Sequence, residues 1–293
     1  MNNISDKIKS SAEKVDIFLK NYFLKKNTQN SLFEAMNYGL FSGGKKIRSY
    51  ITKCAFEIYK IDEYKYIPIA GAIECVHSYS LIHDDLPSMD NDDFRRGKES
   101  THKKFGEANA ILAGNSLLTS AFEIISSDNL RIDHERKSNL TNSLALCAGH
   151  EGIAGGQYLD LKYENEQKDE KEIINMQIKK TGELMGFCCE SAAIVAGAVD
   201  DRENLRKAGL NLGLLFQISD DLLDIYGDPN ILGKPTQQDD KKGKATIMTI
   251  KDENQSNKMC IDIQSKIKEL LYSHGDSART LLECADYIFK RDH

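Results

Sequence analysis

The 293-residue chain has little proline, no excess of basic residues and no Cys-x-x-Cys pair. With only four prolines, few positions interrupt a helix. Its 39 Lys and Arg against 45 Asp and Glu give a net charge of -6, which excludes a global basic field for nucleic acid. Seven scattered cysteines lack zinc-ligand spacing and predict reduced thiols in the core.

Long apolar runs are also missing. Residues 1–20 mix charged and apolar residues and lack the apolar block of a signal peptide. The longest run of small apolar residues, 192–199, is far shorter than the roughly 20 residues that span a bilayer. We therefore predict a soluble cytoplasmic protein without stable membrane insertion.

What the chain does have is helical pattern almost everywhere. Segments rich in Ala, Leu, Ile and Glu cover residues 70–82, 108–126, 140–148, 173–199 and 205–226. Loops are predicted at 27–30, 126–134, 163–171, 227–243 and 251–258, where polar, charged or Gly/Pro content rises. No series of short alternating segments with Asn-Gly or Asp-Gly turns indicates a sheet. The prediction is an all-α fold.

Two aspartate clusters follow apolar stretches. Their members are Asp84, Asp85 and Asp90 in the first and Asp220, Asp221 and Asp224 in the second. An acidic run alone is ordinarily a solvated surface, but burying several carboxylates without partners is costly. Dense carboxylates suit Mg²⁺, which takes oxygen ligands and often shares them with substrate phosphates. The pair of clusters indicates two sides of one metal-diphosphate site.

The two clusters differ in their expected geometry. Asp220 and Asp224 are i and i+4 on a helix, so both carboxylates lie on one face about 6 Å apart along the axis. An unbroken helix would instead turn Asp90 about 240° from Asp84. Pro87 stands between them and disrupts the helix. We predict a kink or loop there that returns Asp90 toward Asp84.

Basic residues that suit a diphosphate lie near the first cluster. Arg95 and Arg96 supply fork-shaped donors that match phosphate oxygens. Upstream, glycines precede Lys45 and Arg48, which at i and i+3 would share a face of a helix that begins there. Residues 227–234 differ from a P-loop in glycine spacing and in having a proline after the lysine, which excludes a P-loop NTPase.

These motifs together resemble the all-trans polyprenyl diphosphate synthase family, most closely its bacterial farnesyl diphosphate synthases. The matching stretches are 43–48 (GGKKIR), 74–90 (ECVHSYSLIHDDLPSMD), 95–97 (RRG), 105–108 (FGEA), 155–161 (GGQYLDL), 179–182 (KKTG), 216–221 (FQISDD), 232–234 (LGK), 243–244 (GK) and 285–288 (ADYI). Order and spacing match from about residue 42 to 293. The resemblance implies one polyprenyl synthetase domain over residues 1–293, a helical bundle around a central cavity, and a homodimer.

The resemblance also implies an activity and residue roles. The reaction would be Mg²⁺-dependent head-to-tail transfer of dimethylallyl and geranyl groups from their diphosphates to isopentenyl diphosphate, and the six aspartates would hold three Mg²⁺ ions with substrate bound. Contacts to the allylic diphosphate are implied for Arg95, Lys180, Lys234 and Lys244. Contacts to isopentenyl diphosphate are implied for Lys45, Arg48, His77 and Arg96, and a substrate contact for Gly44. Thr181, which follows Lys180 in the sequence, and Gln217 would face the bond that breaks.

Product length is expected to depend on Tyr79 and Ser80. They lie five and four residues before Asp84, roughly 6 to 7.5 Å back along a regular helix. An aromatic ring beside a small residue at this level is similar to the farnesyl-making pattern, which predicts a C15 product. Tyr79 as an ordinary core aromatic, with a C10 or C20 product, is the alternative.

Other classes of protein fit less of the sequence. His83 beside Asp84, with His77 and Asp220, could form the metal site of an HD-type phosphohydrolase, but this leaves the arginines unexplained. A non-catalytic synthase subunit would not need all six aspartates. A terpene cyclase usually lacks the isopentenyl-binding set. Two departures from the family pattern are Asn115, where an aspartate is usual, and the polar tract 249–258.

Overall fold

The computed structural model describes residues 3–26, 30–227 and 243–290. The helices are α1 (Ile4–Leu24), α2 (Ser31–Leu40), α3 (Ile47–Ile58), α4 (Glu63–Asp84), α5 (Thr101–Phe105), α6 (Glu107–Ser126), α7 (His134–Ala148), α8 (Ile153–Lys162), α9 (Glu170–Gln177), α10 (Glu183–Ala196), α11 (Arg202–Tyr226), α12 (Glu253–Leu270) and α13 (Arg279–Lys290). Strand structure within these ranges is one short hairpin, β1 (Phe94–Arg95) with β2 (Lys98–Glu99). The all-α prediction is confirmed.

Helices α10 and α11 pack closely against each other, and α3 and α4 pack on α10. Glycines allow the close approach, because a Cβ on Gly209 of α11 would lie 2.3 Å from the Met185 carbonyl oxygen of α10. Nearly every residue of α10 is buried. Its sequence is therefore apolar all round rather than along one stripe.

The predicted helix over residues 173–199 is divided in the structure. It consists of α9, a π-helical turn at Ile178–Gly182, and α10. A π-helical turn is rare and frequently marks a functional site. Helical pattern alone does not reveal the turn, since it adds one residue within an otherwise continuous helical segment. The other four predicted helical segments lie within α4, α6, α7 and α11.

The predicted loop at 251–258 is wrong. Helix α12 begins at Glu253, after a capping box in which Asp252 and Gln255 bond to each other's backbone N–H. The segment is polar because only a narrow stripe of α12, from Ser256 to Ile267, is buried. Residues 27–29 and most of the predicted loop 227–243, namely 228–242, lie outside the described residues.

The prediction of reduced core thiols is confirmed. All seven cysteines are buried and none forms a disulfide. Within the described part of the chain, α6 is long and apolar enough to cross a membrane by length and composition. Core helices of soluble proteins pass the same test, and α6 here packs along α4 and α2.

Candidate active site

The first aspartate cluster lies where α4 ends. The helix stops at Asp84, and the chain turns through Leu86 and Pro87 so that the Asp90 backbone N–H donates to the Asp84 carbonyl, 2.9 Å away. The predicted return of Asp90 toward Asp84 is confirmed. A proline suits this turn because it lacks the N–H that a continuing helix would need.

The short hairpin sends the two adjacent arginines in different directions. Arg96 and Gly97 form its turn, both with positive φ. The Arg95 guanidinium donates to both carboxylate oxygens of Asp85, with Nε–O distances of 2.8 Å. Arg96 donates instead to the Gly43 carbonyl. Asp85 is therefore buried and already neutralised by a protein cation.

We call residues 42–46 the glycine loop. It precedes α3, and Lys46 is the N-cap residue with φ 50° and ψ 48°. Lys45 therefore lies before the helix, so the predicted helical face shared by Lys45 and Arg48 is wrong. Gly44 has φ 99°, and a Cβ there would lie 2.5 Å from Arg96 Cζ. Only glycine allows the loop and Arg96 to pack this closely.

A cationic cleft of about 400 Å³ lies beside the glycine loop. Its walls include Gly44, Lys45, Arg48, His77, Arg95, Arg96, Thr181 and Gln217. The structure thus brings together the four residues assigned to isopentenyl diphosphate and Gly44. Burial and the neighbouring guanidinium of Arg48 hold the pKa of His77 well below its ordinary value. His77 is neutral at pH 7, and the positive charge of the cleft comes from lysine and arginine side chains.

A second cleft, of about 170 Å³, is lined by Asp90 of the first aspartate cluster, by Asp160 and by Asp221 of the second cluster. Lys244 Nζ lies 3.1 Å from an Asp90 oxygen and 2.8 Å from an Asp160 oxygen. Lys180 Nζ contacts the same Asp160 oxygen at 2.7 Å. Burial raises the pKa of Asp160, but the two ammonium groups lower it below its ordinary value. The predicted allylic cations Lys180 and Lys244 therefore meet here, whereas Lys234 lies outside the described residues.

The second aspartate cluster lies on α11. Asp224 is buried and Asp220 is partly exposed. Asp221 is 1% exposed and accepts hydrogen bonds from Gln177 Nε2 at 2.8 Å and Gln217 Nε2 at 3.0 Å. The Asp221 carboxylate, a predicted metal ligand, thus accepts hydrogen bonds from two side-chain amides. The sequence did not predict these contacts.

Gln217 lines both clefts. Its Oε1 accepts a hydrogen bond of 3.1 Å from Thr181 Oγ1. Thr181 belongs to the π-helical turn, whose extra residue places its hydroxyl opposite α11. The Thr181–Gln217 pair therefore lies at the junction of the cationic and carboxylate clefts.

The carboxylate cleft has the donor chemistry that Mg²⁺ requires. Burial, more than neighbouring charge, raises the pKa of Asp84 to about 6, so a cation at this position would favour its ionised form. Within the described ranges, no three His, Cys, Asp or Glu side chains are grouped to hold a metal. Instead Lys180, Lys244 and Arg95 pair with the carboxylates, as expected for like charges that otherwise repel. Carboxylate oxygens suit Mg²⁺, but in this structure they are paired with lysine and arginine side chains.

The predicted chain-length residues lie one turn back from Asp84. The Tyr79 side chain is 9% exposed, and its ring meets the His83 ring edge-on with centroids 5.4 Å apart. Ser80 Oγ donates to the carbonyl of His77 within its own helix at 2.9 Å. His83 Nε2 lies 3.1 Å from the Ile111 carbonyl oxygen of α6. That contact makes Nε2 a donor, which removes it as a metal ligand and disfavours the HD-type phosphohydrolase.

Some residues of the site carried no predicted role. The motifs that carry the family resemblance include Asp160, Glu74 and Lys46. The sequence therefore marks these residues, but it does not indicate what they do. Gln177 lies two residues before the motif 179–182. Its contact with Asp221 depends on the π-helical turn, which the sequence did not reveal.

Comparison with known proteins agrees with this geometry. The family model described as polyprenyl synthetase matches residues 29–286. Farnesyl diphosphate synthase of Bacillus subtilis is 39% identical, with 93% of each chain covered. An FPP/GFPP synthase structure from Zymomonas mobilis has a TM-score of 0.84 at 33% identity, covering 97% of this chain and 99% of that one.

A more distant structure bears on ligands. The geranyltransferase of Helicobacter pylori, complexed with magnesium and isoprenyl diphosphate, has a TM-score of 0.80 at 27% identity and covers 98% of this chain and 97% of its own. The all-α fold and these matches define a prenyltransferase. The chain belongs to the polyprenyl synthetase family.

Proposed function

We propose that the enzyme condenses isopentenyl diphosphate head to tail with dimethylallyl diphosphate and then geranyl diphosphate, giving farnesyl diphosphate and diphosphate. The observation that carries this proposal is the shared position of Gln217, hydrogen-bonded to Thr181, between a cationic cleft and a carboxylate cleft. Two diphosphates bound on either side would place their reactive carbons near this pair. The farnesyl diphosphate synthases among the relatives support the C15 product.

Isopentenyl diphosphate is assigned to the cationic cleft. Lys45, Arg48 and Arg96 supply charge, and Gly44 lets the backbone approach the phosphates. His77 is neutral, so it would contribute a directional hydrogen bond rather than charge. No metal is needed there, because the lysine and arginines neutralise the diphosphate themselves.

The allylic diphosphate is assigned to the carboxylate cleft. Lys180, Lys244 and Arg95 would exchange their present carboxylate partners for phosphate oxygens, and Lys234 is proposed as a fourth contact on resemblance alone. Asp84, Asp85, Asp90, Asp220, Asp221 and Asp224 are the proposed Mg²⁺ ligands, for three ions. Bound Mg²⁺ would neutralise the negative charge that develops on the departing diphosphate.

The chemistry follows from this placement. The allylic carbon–oxygen bond breaks, and its electron pair leaves with the diphosphate. The oxygens of Thr181 and Gln217 present negative dipole ends to the resulting allylic cation. The double bond of isopentenyl diphosphate supplies the electron pair of the new carbon–carbon bond. The proton lost afterwards goes to the released diphosphate, so no side-chain base is required.

The C15 limit is assigned to Tyr79 and Ser80. Tyr79 is buried one turn back from Asp84 and is held by the His83 ring. A chain that grows past Asp84 along α4 would meet this aromatic ring. Geranylgeranyl synthases are also among the relatives, so a C20 product is the main alternative.

We further propose a cytoplasmic homodimer of single-domain subunits, each formed by residues 1–293, that neither inserts into membranes nor binds nucleic acid. The net charge of -6 supports the last point. Exposed apolar side chains on neighbouring helices, Ile111 and Leu112 of α6 and Leu146 of α7, support a subunit interface.

The direct test is diphosphate release by purified protein with Mg²⁺, isopentenyl diphosphate and either dimethylallyl or geranyl diphosphate. Release should require both substrates and the metal. Release from geranyl diphosphate without isopentenyl diphosphate would instead identify a terpene cyclase. Absence of turnover with either allylic substrate would refute the proposed function.

A further inference from the structure

We propose that Lys46 is a positioning residue for isopentenyl diphosphate: its buried ammonium ties the glycine loop to three helices, and the adjacent Lys45 is the lysine that meets the substrate. The proposal rests on the proposed function of the cationic cleft. It gives a role to Lys46, for which the sequence predicted none, and keeps the predicted substrate contact for Lys45.

The glycine loop has a backbone that must be held in place. Gly43, Gly44 and Lys46 have φ values of 100°, 99° and 50°. For the two glycines this costs little, but a lysine in the left-handed region is disfavoured. Such a conformation persists only when the surroundings determine it. The contacts of the Lys46 side chain supply that determination.

The Lys46 ammonium lies among oxygens from three helices. Nζ is 3.3 Å from the Leu40 carbonyl at the end of α2 and 3.4 Å from Asp16 Oδ1 of α1. It is 3.8 Å from Glu74 Oε2 of α4. The side chain is only 6% exposed, although it forms part of the cleft wall. Lys45, by contrast, is exposed at the same cleft.

Glu74 completes the arrangement. It is 2% exposed and is the one carboxylate among the described side chains that line the cationic cleft. Its Oε1 accepts a 2.7 Å hydrogen bond from Ser49 Oγ, which fixes the carboxylate and leaves Oε2 toward Lys46. A carboxylate opposes anion binding, and this one faces the Lys46 ammonium while its charge also favours the charged form of Arg48.

The two possible roles of Lys46 predict opposite effects of one substitution. If Lys46 bound the diphosphate directly, Glu74→Gln would release the ammonium and lower the KM for isopentenyl diphosphate. If Lys46 positions the glycine loop, Glu74→Gln weakens one of the contacts that keep the Lys46 ammonium in place, and the KM for isopentenyl diphosphate rises. We expect a rise.

The experiment measures KM for both substrates and kcat in Lys46→Met, Lys46→Arg, Glu74→Gln and the double variant Lys46→Met with Glu74→Gln. Lys46→Met and Glu74→Gln should each raise the isopentenyl KM by about tenfold. The KM of the double variant should be no higher than that of the single variant with the larger KM. Lys46→Arg should stay within about threefold of wild type, because arginine can reach the same oxygens. The KM for geranyl diphosphate should change by less than about threefold.

Lys45→Met is the matched control. It should also raise the isopentenyl KM, but its effect should add in full to that of Glu74→Gln, since the proposal places Lys45 at the substrate and outside the Lys46–Glu74 contact. A lowered KM in Glu74→Gln, an unchanged KM in Lys46→Met, or equal rises in both substrates' KM would overturn the proposal. Circular dichroism checks folding, and Glu74→Gln remains informative if Lys46→Met does not fold.

Calorimetric titration with isopentenyl diphosphate alone separates this proposal from the proposed function. Wild type that binds isopentenyl diphosphate without turnover would refute the function while leaving the role of Lys46 open to the same variant comparison. Wild type that fails to bind isopentenyl diphosphate would overturn both. Equal affinity in wild type and Lys46→Met would overturn the positioning role alone.

Discussion

At the scale of single residues, burial sets the chemistry of Asp84. Burial raises the pKa of its carboxyl from 3.8 to about 6; Lys180 and Arg95 oppose the rise and Asp90 adds to it. Between these two pH values the folded state holds a proton that the unfolded state has released. The stability of the metal-free protein that depends on Asp84 is therefore greatest below pH 4 and is lost as pH rises through 6.

Asp84→Asn tests this electrostatic account without substrate. Asparagine mimics the protonated carboxyl, so the free energy of unfolding of the variant, relative to wild type, should increase by at most about 3 kcal/mol between pH 4 and pH 7. Urea denaturation of metal-free protein at both pH values measures the difference. An unchanged difference would show that Asp84 titrates as an ordinary exposed aspartate.

Tyr79 makes a second prediction at this scale. Tyr79→Ala should shift the main product from C15 toward C20, because the ring that blocks growth along α4 is removed. Ser80→Ala is the control, since alanine keeps a small side chain beside the ring and should leave C15; the Ser80 hydroxyl that it removes donates to the His77 carbonyl of the same helix. Chromatography of dephosphorylated products gives the answer. Mainly C15 from Tyr79→Ala would show that the ring is only part of the core.

The sequence identified most side chains of the site but not their partners. The aspartates, lysines and arginines are conspicuous in sequence because charge beside apolar helices is unusual. Which oxygen Arg95 binds, or which amides Asp221 holds, depends on neighbours far away in the chain. Lys46 is adjacent to Lys45 in the sequence. The left-handed backbone at Lys46 and the burial of its side chain are visible only in the structure.

At the scale of elements, the contact between the π-helical turn and α11 places Thr181 beside Gln217. A Cβ on Gly213 would lie 2.5 Å from Gly182 Cα, so backbone meets backbone there. Gly213→Ala should cost about 1–3 kcal/mol of stability and lower kcat, because Thr181 and Gln217 would be pushed apart. Thermal unfolding and steady-state kinetics measure both effects.

Gly186→Ala is the control for this contact. Its Cβ would meet the Leu210 side chain at 3.2 Å, and a side chain can yield by a few tenths of an ångström. We expect a smaller loss of stability and a near-normal kcat. Equal kcat in the two glycine variants would show that the π-helical turn does not position Thr181.

The sequence predicted elements well where burial shapes composition. Helices α4, α6, α7 and α11 carry enough apolar residues to be recognised. Helix α12 was missed because its buried stripe is narrow and the rest is polar, although Asp252 and Gln255 already formed a capping signal. The π-helical turn leaves no such trace, since it adds one residue without altering composition.

At the scale of the whole molecule, apolar side chains remain exposed on two neighbouring helices. Leu112 is 50% exposed on α6 and Leu146 is 49% exposed on α7. Light scattering should give twice the chain mass of 33.0 kDa for wild type. Leu112→Glu should yield monomers, because a buried interface does not tolerate an unpaired carboxylate.

Leu24→Glu is the control for oligomeric state, since Leu24 of α1 is equally apolar and 70% exposed. It should remain dimeric. A monomeric wild type, or a dimeric Leu112→Glu variant, would show that the α6 surface is not the interface.

One site is proposed to join two diphosphate substrates across the Thr181–Gln217 pair and to stop at C15. The most direct measurement is mass analysis of the dephosphorylated product formed from dimethylallyl diphosphate, Mg²⁺ and carbon-13-labelled isopentenyl diphosphate. The account predicts mainly a C15 alcohol that contains two labelled five-carbon units. A product without label, or no product at all, would contradict it.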